Sequence, residues 1–175
     1  MNNHSIEELF PVVDEDGNTI STAPRHICHD GQSKLLHPVV HLHILNDTGE
    51  LFLQKRAMTK DLLPGKWDTS VGGHLAPGET VEEALAREAE EEIGLNNPGC
   101  RFVKKYIWES PSERELVYSF IAVTNKLPVV NRNEIDEGKF WTFKEIEYNI
   151  GKGIFTPNFE YEFKILQTSV IRNKL

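Results

Sequence analysis

The run Gly73-His74-Leu75-Ala76-Pro77-Gly78-Glu79, followed after seven residues by Arg87-Glu88-Ala89-Glu90-Glu91-Glu92-Ile93-Gly94-Leu95, constrains this chain more than any other stretch. Gly73, Glu79, Arg87, Glu88, Glu91, Glu92 and Gly94 stand at set spacings, a coincidence with a chance on the order of 10^-8 per starting position at ordinary residue frequencies. The pattern reads as a loop, a helix and a second loop. Thr80 and Glu83 have the spacing of a capping box, and Gly94 supplies the helix stop. At about 100° per residue, Leu85, Ala86, Ala89 and Ile93 share an apolar face, while Glu88, Glu91 and Glu92 fill an adjoining arc.

Three carboxylates within one helical turn repel each other. Without its flanking residues the cluster would read as a solvated acidic helix face. The glycines, Arg87 and Glu79 change that reading: a hard divalent cation offsets the repulsion and takes oxygen ligands. Gly72-Gly73 is expected to be a turn in which backbone approaches such an ion, with the Gly73 carbonyl as a further ligand. Arg87 lies beside Glu88 and four residues before Glu91, placed to steer a carboxylate, and Glu79 reads as its salt-bridge partner.

The rest of the chain sets limits. Its 175 residues suit one domain that buries roughly 70% of its unfolded surface. A formal net charge of -8 without a Lys/Arg cluster argues against polymeric nucleic acid, although a bound cation would still admit a small polyanion. No apolar run approaches the ~20 residues of a membrane span. The amino terminus, Met1 to Glu8, lacks the basic flank and apolar stretch of a signal peptide, so a cytosolic location is expected. Cys28 and Cys100 read as reduced thiols.

Periodicity predicts an opening hairpin, Phe10–Val13 and Thr19–Ser21 around Asp16-Gly17. Further strands are expected at Pro38–Leu45, Glu50–Arg56, Trp67–Val71, Phe102–Trp108, Glu115–Val123 and Gly138–Trp141. Met58–Lys66 reads as a loop, and two helices, Phe143–Tyr148 and Asn158–Arg172, close the chain. Mixed strands interrupted by one helix and closed by others suggest a sheet covered on both faces.

The spacing G-x5-E-x7-R-E-x-x-E-E-x-G plus an aliphatic residue resembles the signature of the Nudix hydrolases, matched throughout by Gly73–Leu95. The resemblance implies an α/β/α sandwich with a mixed sheet: a single domain over residues 1–175, the core at 35–175 and the motif at 73–95, with residues 1–34 an N-terminal β-hairpin extension. It also implies Mg2+- or Mn2+-dependent hydrolysis of a diphosphate bond in a nucleoside-diphosphate-linked or related small molecule. Metal ligation carries over to Glu88, Glu91, Glu92 and the Gly73 carbonyl. The general base is expected at Glu88 or Glu91, with Glu115, Glu134 and Glu137 as alternatives. Arg56, Lys60 and Lys55 are candidate diphosphate contacts, although Lys55 and Arg56 point to opposite faces of a strand.

Leu36-His37, Asn46–Leu51, Lys55–Lys60 and Pro64–Trp67, together with Glu113-Arg114-Glu115, further resemble the isopentenyl diphosphate isomerases, a branch of the same superfamily. That resemblance spans about residues 35–123 and places His37, His74, Glu113 and Glu115 on metal-binding positions. Two departures favour hydrolysis: Gly72 stands where the isomerases carry a catalytic cysteine, and Glu88, Glu91 and Glu92 are all present. Isomerase-like activity and a non-catalytic nucleotide-metabolite sensor are the alternatives. Taken singly, His37 and His74 read as structural histidines. His41 and His43 share a strand face but lack a third ligand. Trp67, Trp108 and Trp141 read as core or cleft wall. The hairpin extension is a candidate homodimer contact.

Overall fold

The computed structural model describes residues 7–173, with side chains to residue 168; the signal-peptide reading of Met1–Ile6 lies outside them. The opening hairpin pairs β1 (Leu9–Val13) with β2 (Thr19–Pro24). Its Asp-Gly turn is tied by Asp14, whose carboxylate accepts from the Asp16 and Asn18 amides. A short helix not foreseen from the sequence, α1 (Arg25–Cys28), follows and ends on His29.

The centre of the molecule is β3 (Leu36–Leu45), in which every residue is buried. Burial on both faces explains its apolar Val39, Val40, Leu42, Ile44 and Leu45, with His37, His41 and His43 buried among them. It runs parallel to β8 (Arg114–Val123) and antiparallel to β6 (Val71–His74) near its start and to β4 (Leu51–Arg56) at its end. β5 (Trp67–Asp68) and β9 (Ile135–Trp141) extend the sheet from β4, and β7 (Arg101–Glu109) from β8.

The motif helix α2 (Val81–Ile93) covers one face. Thr80 and Glu83 form the expected capping box, and Gly94 closes the helix in the left-handed region at φ 65°. Leu85, Ala89 and Ile93 pack on Val40, Leu42 and Ile44. Ala86, expected on that face, is exposed, and Ala84 is buried instead. The buried stripe is rotated toward Ala84 and Glu92, so Glu92 is buried with it. The other face carries α3 (Phe143–Asn149) and α4 (Pro157–Asn173), whose Ile146, Phe159, Phe163 and Leu166 pack on Leu45, Leu51 and Leu53. The result is the expected α/β/α sandwich with a mixed sheet and an N-terminal hairpin. Among the described residues no helix is long and apolar enough to cross a membrane.

One local expectation is corrected. Gly72 and Gly73 do not form a turn: they are consecutive residues of β6, paired with His41 and Val40. Neither has a positive φ. Their use is steric, because successive strand residues face opposite sides of the sheet. A Cβ on Gly73 would overlap the Glu88 carboxylate, whereas a Cβ on Gly72 would meet His41 and Thr69 at an ordinary 3.5 Å.

Candidate functional site

Strand alternation and register assemble the site. On β3, His37, Val39 and His41 face the α4 side; β6 sets His74 opposite Val39 and Gly72 opposite His41, and β8 sets Glu115 opposite His37. All of these positions but His37 line a cleft of about 520 Å3, also lined by His29, Gln54, Arg56, Lys60, Glu113 and Asn158.

At one end of the cleft lies a nest of five metal-type donors. Ligand atoms of His29, His37 and His74 come within 4.8 Å of one another, as do those of His37, Glu113 and Glu115. His29 Nε2 sits 3.3 Å from His74 Nε2 and 3.3 Å from a Glu113 carboxylate oxygen. His37 Nδ1 lies 2.9 Å from the Leu35 carbonyl, so it carries the proton and donates there. That leaves the His37 Nε2 lone pair buried without a partner among the described residues. Phe10 of the hairpin stacks on His74, ring centroids 4.1 Å apart and 5° from parallel. The extension is therefore a wall of the site.

Electrostatics in the nest favour a bound cation. Burial lowers the pKa of all three histidines: His29 to about 4, helped by Arg25 and His37, and His74 well below its usual value. They are neutral imidazoles, the form that ligates metals. Burial raises both Glu113 and Glu115, the latter to about 8 with Glu113 adding to the shift. A divalent ion would offset the desolvation that raises both carboxyls. The donor set thus fits a divalent ion, and its imidazoles suit a first-row transition ion such as Mn2+ better than Mg2+.

The motif carboxylates are not themselves among the residues lining the cleft, but Gly73, against which Glu88 packs, and Gln54, which donates to Glu92, both line it, so the cleft reaches the motif helix. Glu92 is buried and accepts from the Gly72 amide at 3.0 Å and from Gln54 Nε2 at 2.9 Å; burial pushes its pKa up to about 8. Glu88 packs against Gly73, and Arg87 Nη1 donates to its Oε1 at 2.6 Å. Burial raises the Glu88 pKa against the pull of Arg87. Glu91 is exposed, 3.3 Å from Arg87. Among the described residues, no three ligand atoms from Glu88, Glu91 and Glu92 lie within 4.8 Å of one another. Arg87 also donates to both oxygens of Glu79 at 2.8 Å and to the His74 carbonyl at 3.0 Å, which ties the helix to the loop after β6.

Of the remaining candidates, Arg56 and Lys60 line the cleft, paired with Asp68 at 3.2 Å and Glu134 at 3.0 Å, and Lys55 does not line it. Glu137 is exposed on β9. Sequence reasoning missed His29, because no periodicity marks a lone histidine after a four-residue helix. It also missed Glu162 of α4, the partner of His41 and His43, because nothing in the sequence links positions about 120 residues apart.

Comparisons with known proteins follow the same lines. The NUDIX domain model matches residues 35–159. An isopentenyl-diphosphate Delta-isomerase 1 of Photorhabdus laumondii is 30% identical over 164 residues, 89% of this chain and 93% of that protein. The isopentenyl-diphosphate Delta-isomerase of Corynebacterium efficiens is 42% identical over 90 residues, 51% of this chain; the match spans only 47% of that protein. An uncharacterized Nudix hydrolase of Pseudomonas aeruginosa is 30% identical over 133 residues, 76% of this chain and 78% of that one. Among solved structures, a Deinococcus radiodurans protein superposes with a TM-score of 0.77 over 90% of this chain and 98% of that one, at 24% identity, a likeness of fold.

Proposed function

Since the chain belongs to the Nudix domain family, in its isopentenyl-diphosphate-isomerase-like branch, we propose that it is a divalent-metal-dependent hydrolase. Its substrate is a small molecule containing a diphosphate, nucleoside-linked or related, cleaved by water attack at phosphorus. The observation that carries the choice is Gly72. It lies in the cleft where the isomerase resemblance would put a thiol, and neither Cys28 nor Cys100 lines that cleft. Without a thiol to move protons on carbon, the complete Glu88, Glu91 and Glu92 set favours water as the reactant.

Bound ions, Mn2+ at His29, His37, His74, Glu113 and Glu115 and Mg2+ at Glu88, Glu91, Glu92 and the Gly73 carbonyl, would supply charge neutralisation to the diphosphate. The chain's own groups do the rest. Arg56 and Lys60 exchange their carboxylate partners Asp68 and Glu134 for phosphate oxygens, which orients the diphosphate along the cleft. Glu88 accepts the water's proton at Oε2, because Arg87 occupies Oε1 and Oε2 has no hydrogen-bond partner among the described residues. Arg87 holds Glu88 against Gly73 through its contacts to Glu79 and the His74 carbonyl.

A second reading, isomerase-like chemistry on a prenyl diphosphate, is favoured by the His/Glu nest and by relatives bearing that name. One experiment separates the two. The protein is incubated in 18O-water with Mg2+ or Mn2+ and nucleoside diphosphate sugars, dinucleoside polyphosphates, NADH, ADP-ribose or prenyl diphosphates. Phosphate products carrying 18O are expected. Conversion of isopentenyl to dimethylallyl diphosphate without 18O uptake would sink the hydrolase reading, and tight binding without turnover would favour a sensor.

A further inference from the structure

Beneath the cleft lies a set of ionisable groups that metal binding leaves unused. His41 and His43 project from β3 toward α4, where Glu162 meets both. Its Oε2 lies 2.9 Å from His41 Nδ1, and its Oε1 lies 3.0 Å from His43 Nε2. The His43 and Glu162 side chains are fully enclosed, while that of His41 is 10% exposed. The three are not among the groups whose ligand atoms lie within 4.8 Å of one another, so they do not form a metal site. A buried ion pair contributes little net stability, and apolar residues of similar volume usually do as well. Stability alone does not account for it.

The ring orientation does. With Nδ1 committed to Glu162, Nε2 is directed to the opposite edge of the imidazole, where Gly72 lies. A Cβ placed on Gly72 would be 3.7 Å from Nε2. His41 and Gly72 both line the cleft, and Nε2 has no hydrogen-bond partner among the described residues. The missing side chain at Gly72 leaves this edge of the ring open to the cleft. The cleft's other cations, Arg25, Arg56 and Lys60, reach their partners Glu8, Asp68 and Glu134 through flexible, partly exposed stems. His41 alone among these four is pinned by an enclosed carboxylate.

We infer that His41 is a substrate-contacting residue whose Nε2–H donates to a non-bridging oxygen of the bound diphosphate, and that Glu162 is the positioning residue that fixes its ring. The inference rests on the diphosphate reading above. Charge supports the geometry: burial pulls the His41 pKa down, but Glu162 outweighs it and holds the ring at about 9. Burial works against ionisation of Glu162 too, and the paired histidines outweigh it and keep its carboxyl well below the usual range. An imidazolium donates from both nitrogens, so Nδ1 serves Glu162 while Nε2 serves the anion. With no rotamer to freeze on binding, its hydrogen bond is preorganised.

The test uses imidodiphosphate, whose P–N–P bridge resists hydrolysis, titrated with Mg2+ into the full chain. Losing one charge-assisted hydrogen bond should weaken binding by about 10-fold or more in His41→Gln. Glu162→Gln should fall between, since the ring stays but its fixed charge is lost. The double variant leaves no buried charge stranded and should match His41→Gln, with Mn2+ affinity unchanged within about twofold. Imidodiphosphate affinity in the double variant within about twofold of wild type, or an equal loss of Mn2+ affinity, would overturn the inference. A wild-type protein that binds Mn2+ but not imidodiphosphate would overturn the diphosphate reading itself. Nitrogen-15 NMR of histidine rings in the unmutated protein checks the contact independently of folding. Saturation should move the His41 Nε2–H resonance, and a resonance that stays put would refute the contact.

Discussion

Gly72 and Gly73 are neighbours in one strand and both line the cleft, yet they face opposite sides of the sheet, Gly72 toward His41 and Gly73 toward Glu88. On the Gly72 side, His29, His37, His74, Glu113 and Glu115 converge with little internal compensation, and burial pushes each toward its neutral form. On the Gly73 side the motif glutamates already have partners: the Gly72 amide and Gln54 for Glu92, Arg87 for Glu88 and Glu91. One face is an assembled donor set whose ligand atoms lack counter-charges; the other is a hydrogen-bonded scaffold that must loosen to accept an ion. The part of the chain with the strongest sequence signature is thus not the part with the most convergent ligands. A signature fixes spacing along one helix, whereas a ligand nest needs register between several strands.

The largest effect should come from the scaffold side. Glu92→Gln is expected to lower turnover about 1000-fold, the scale of losing one electrostatic element of a phosphoryl-transfer site. The melting temperature should hold within about 2 °C, because the amide oxygen can still accept from Gly72 and Gln54 as the neutral acid does. A near-normal rate would refute metal binding by Glu92 and shift the chemistry to the histidine side.

The two glycines offer a sharper contrast. Gly73→Ala must push the Glu88 carboxylate aside, and a displacement of about 1 Å at a catalytic group costs on the order of 100-fold. Gly72→Ala meets only ordinary contacts at 3.5 Å and should retain turnover within about 10-fold. Steady-state rates of both variants decide this, and equal losses would mean that the sheet does not divide the two sites. A smaller effect is expected for His29→Ala, in which Mn2+ affinity measured by electron paramagnetic resonance should fall by about 10-fold while the remaining four donors still bind. Unchanged affinity would remove His29 from the nest.

These variants also trace what the sequence could express. The capping box, the Gly94 stop and the strand alternation of β3 and β4 are local, and each was legible because its cause lies within a few residues. His37, His74, Glu113 and Glu115 were reachable only through resemblance, since their meeting depends on β3 pairing with β6 and β8. His29 and Phe10 enter from an extension whose docking no short-range pattern encodes. Gly72-Gly73 was misread as a turn because paired glycines usually punctuate loops. Here Gly73 clears space for Glu88, while Gly72 faces His41 across an ordinary contact distance.

The pH dependence of the metal-free protein carries the smallest expected effect and tests the two sides together. His29, His37 and His74 have folded pKa values below the usual 6.5, so the unfolded chain binds more protons and stability rises as pH climbs toward 6.5. Glu92 and Glu115 act in the opposite sense. Raised from 4.5 to about 8, they bind more protons when folded, and their contribution is lost as pH rises through about 8. His41, raised to about 9, loses its contribution over the upper part of the same range. Above pH 6.5, where the histidines no longer contribute, these three groups pull together, so the melting temperature should fall as pH rises from 6.5 toward 8.5. Millimolar Mn2+ should flatten that decline, because an ion replaces the proton at Glu115 in the nest and at Glu92 on the helix. Glu92→Gln removes one of these titrations, so its metal-free decline should be shallower than wild type while the nest's response to Mn2+ persists. A decline that Mn2+ leaves untouched in both proteins would show that neither face of the strand binds the ion.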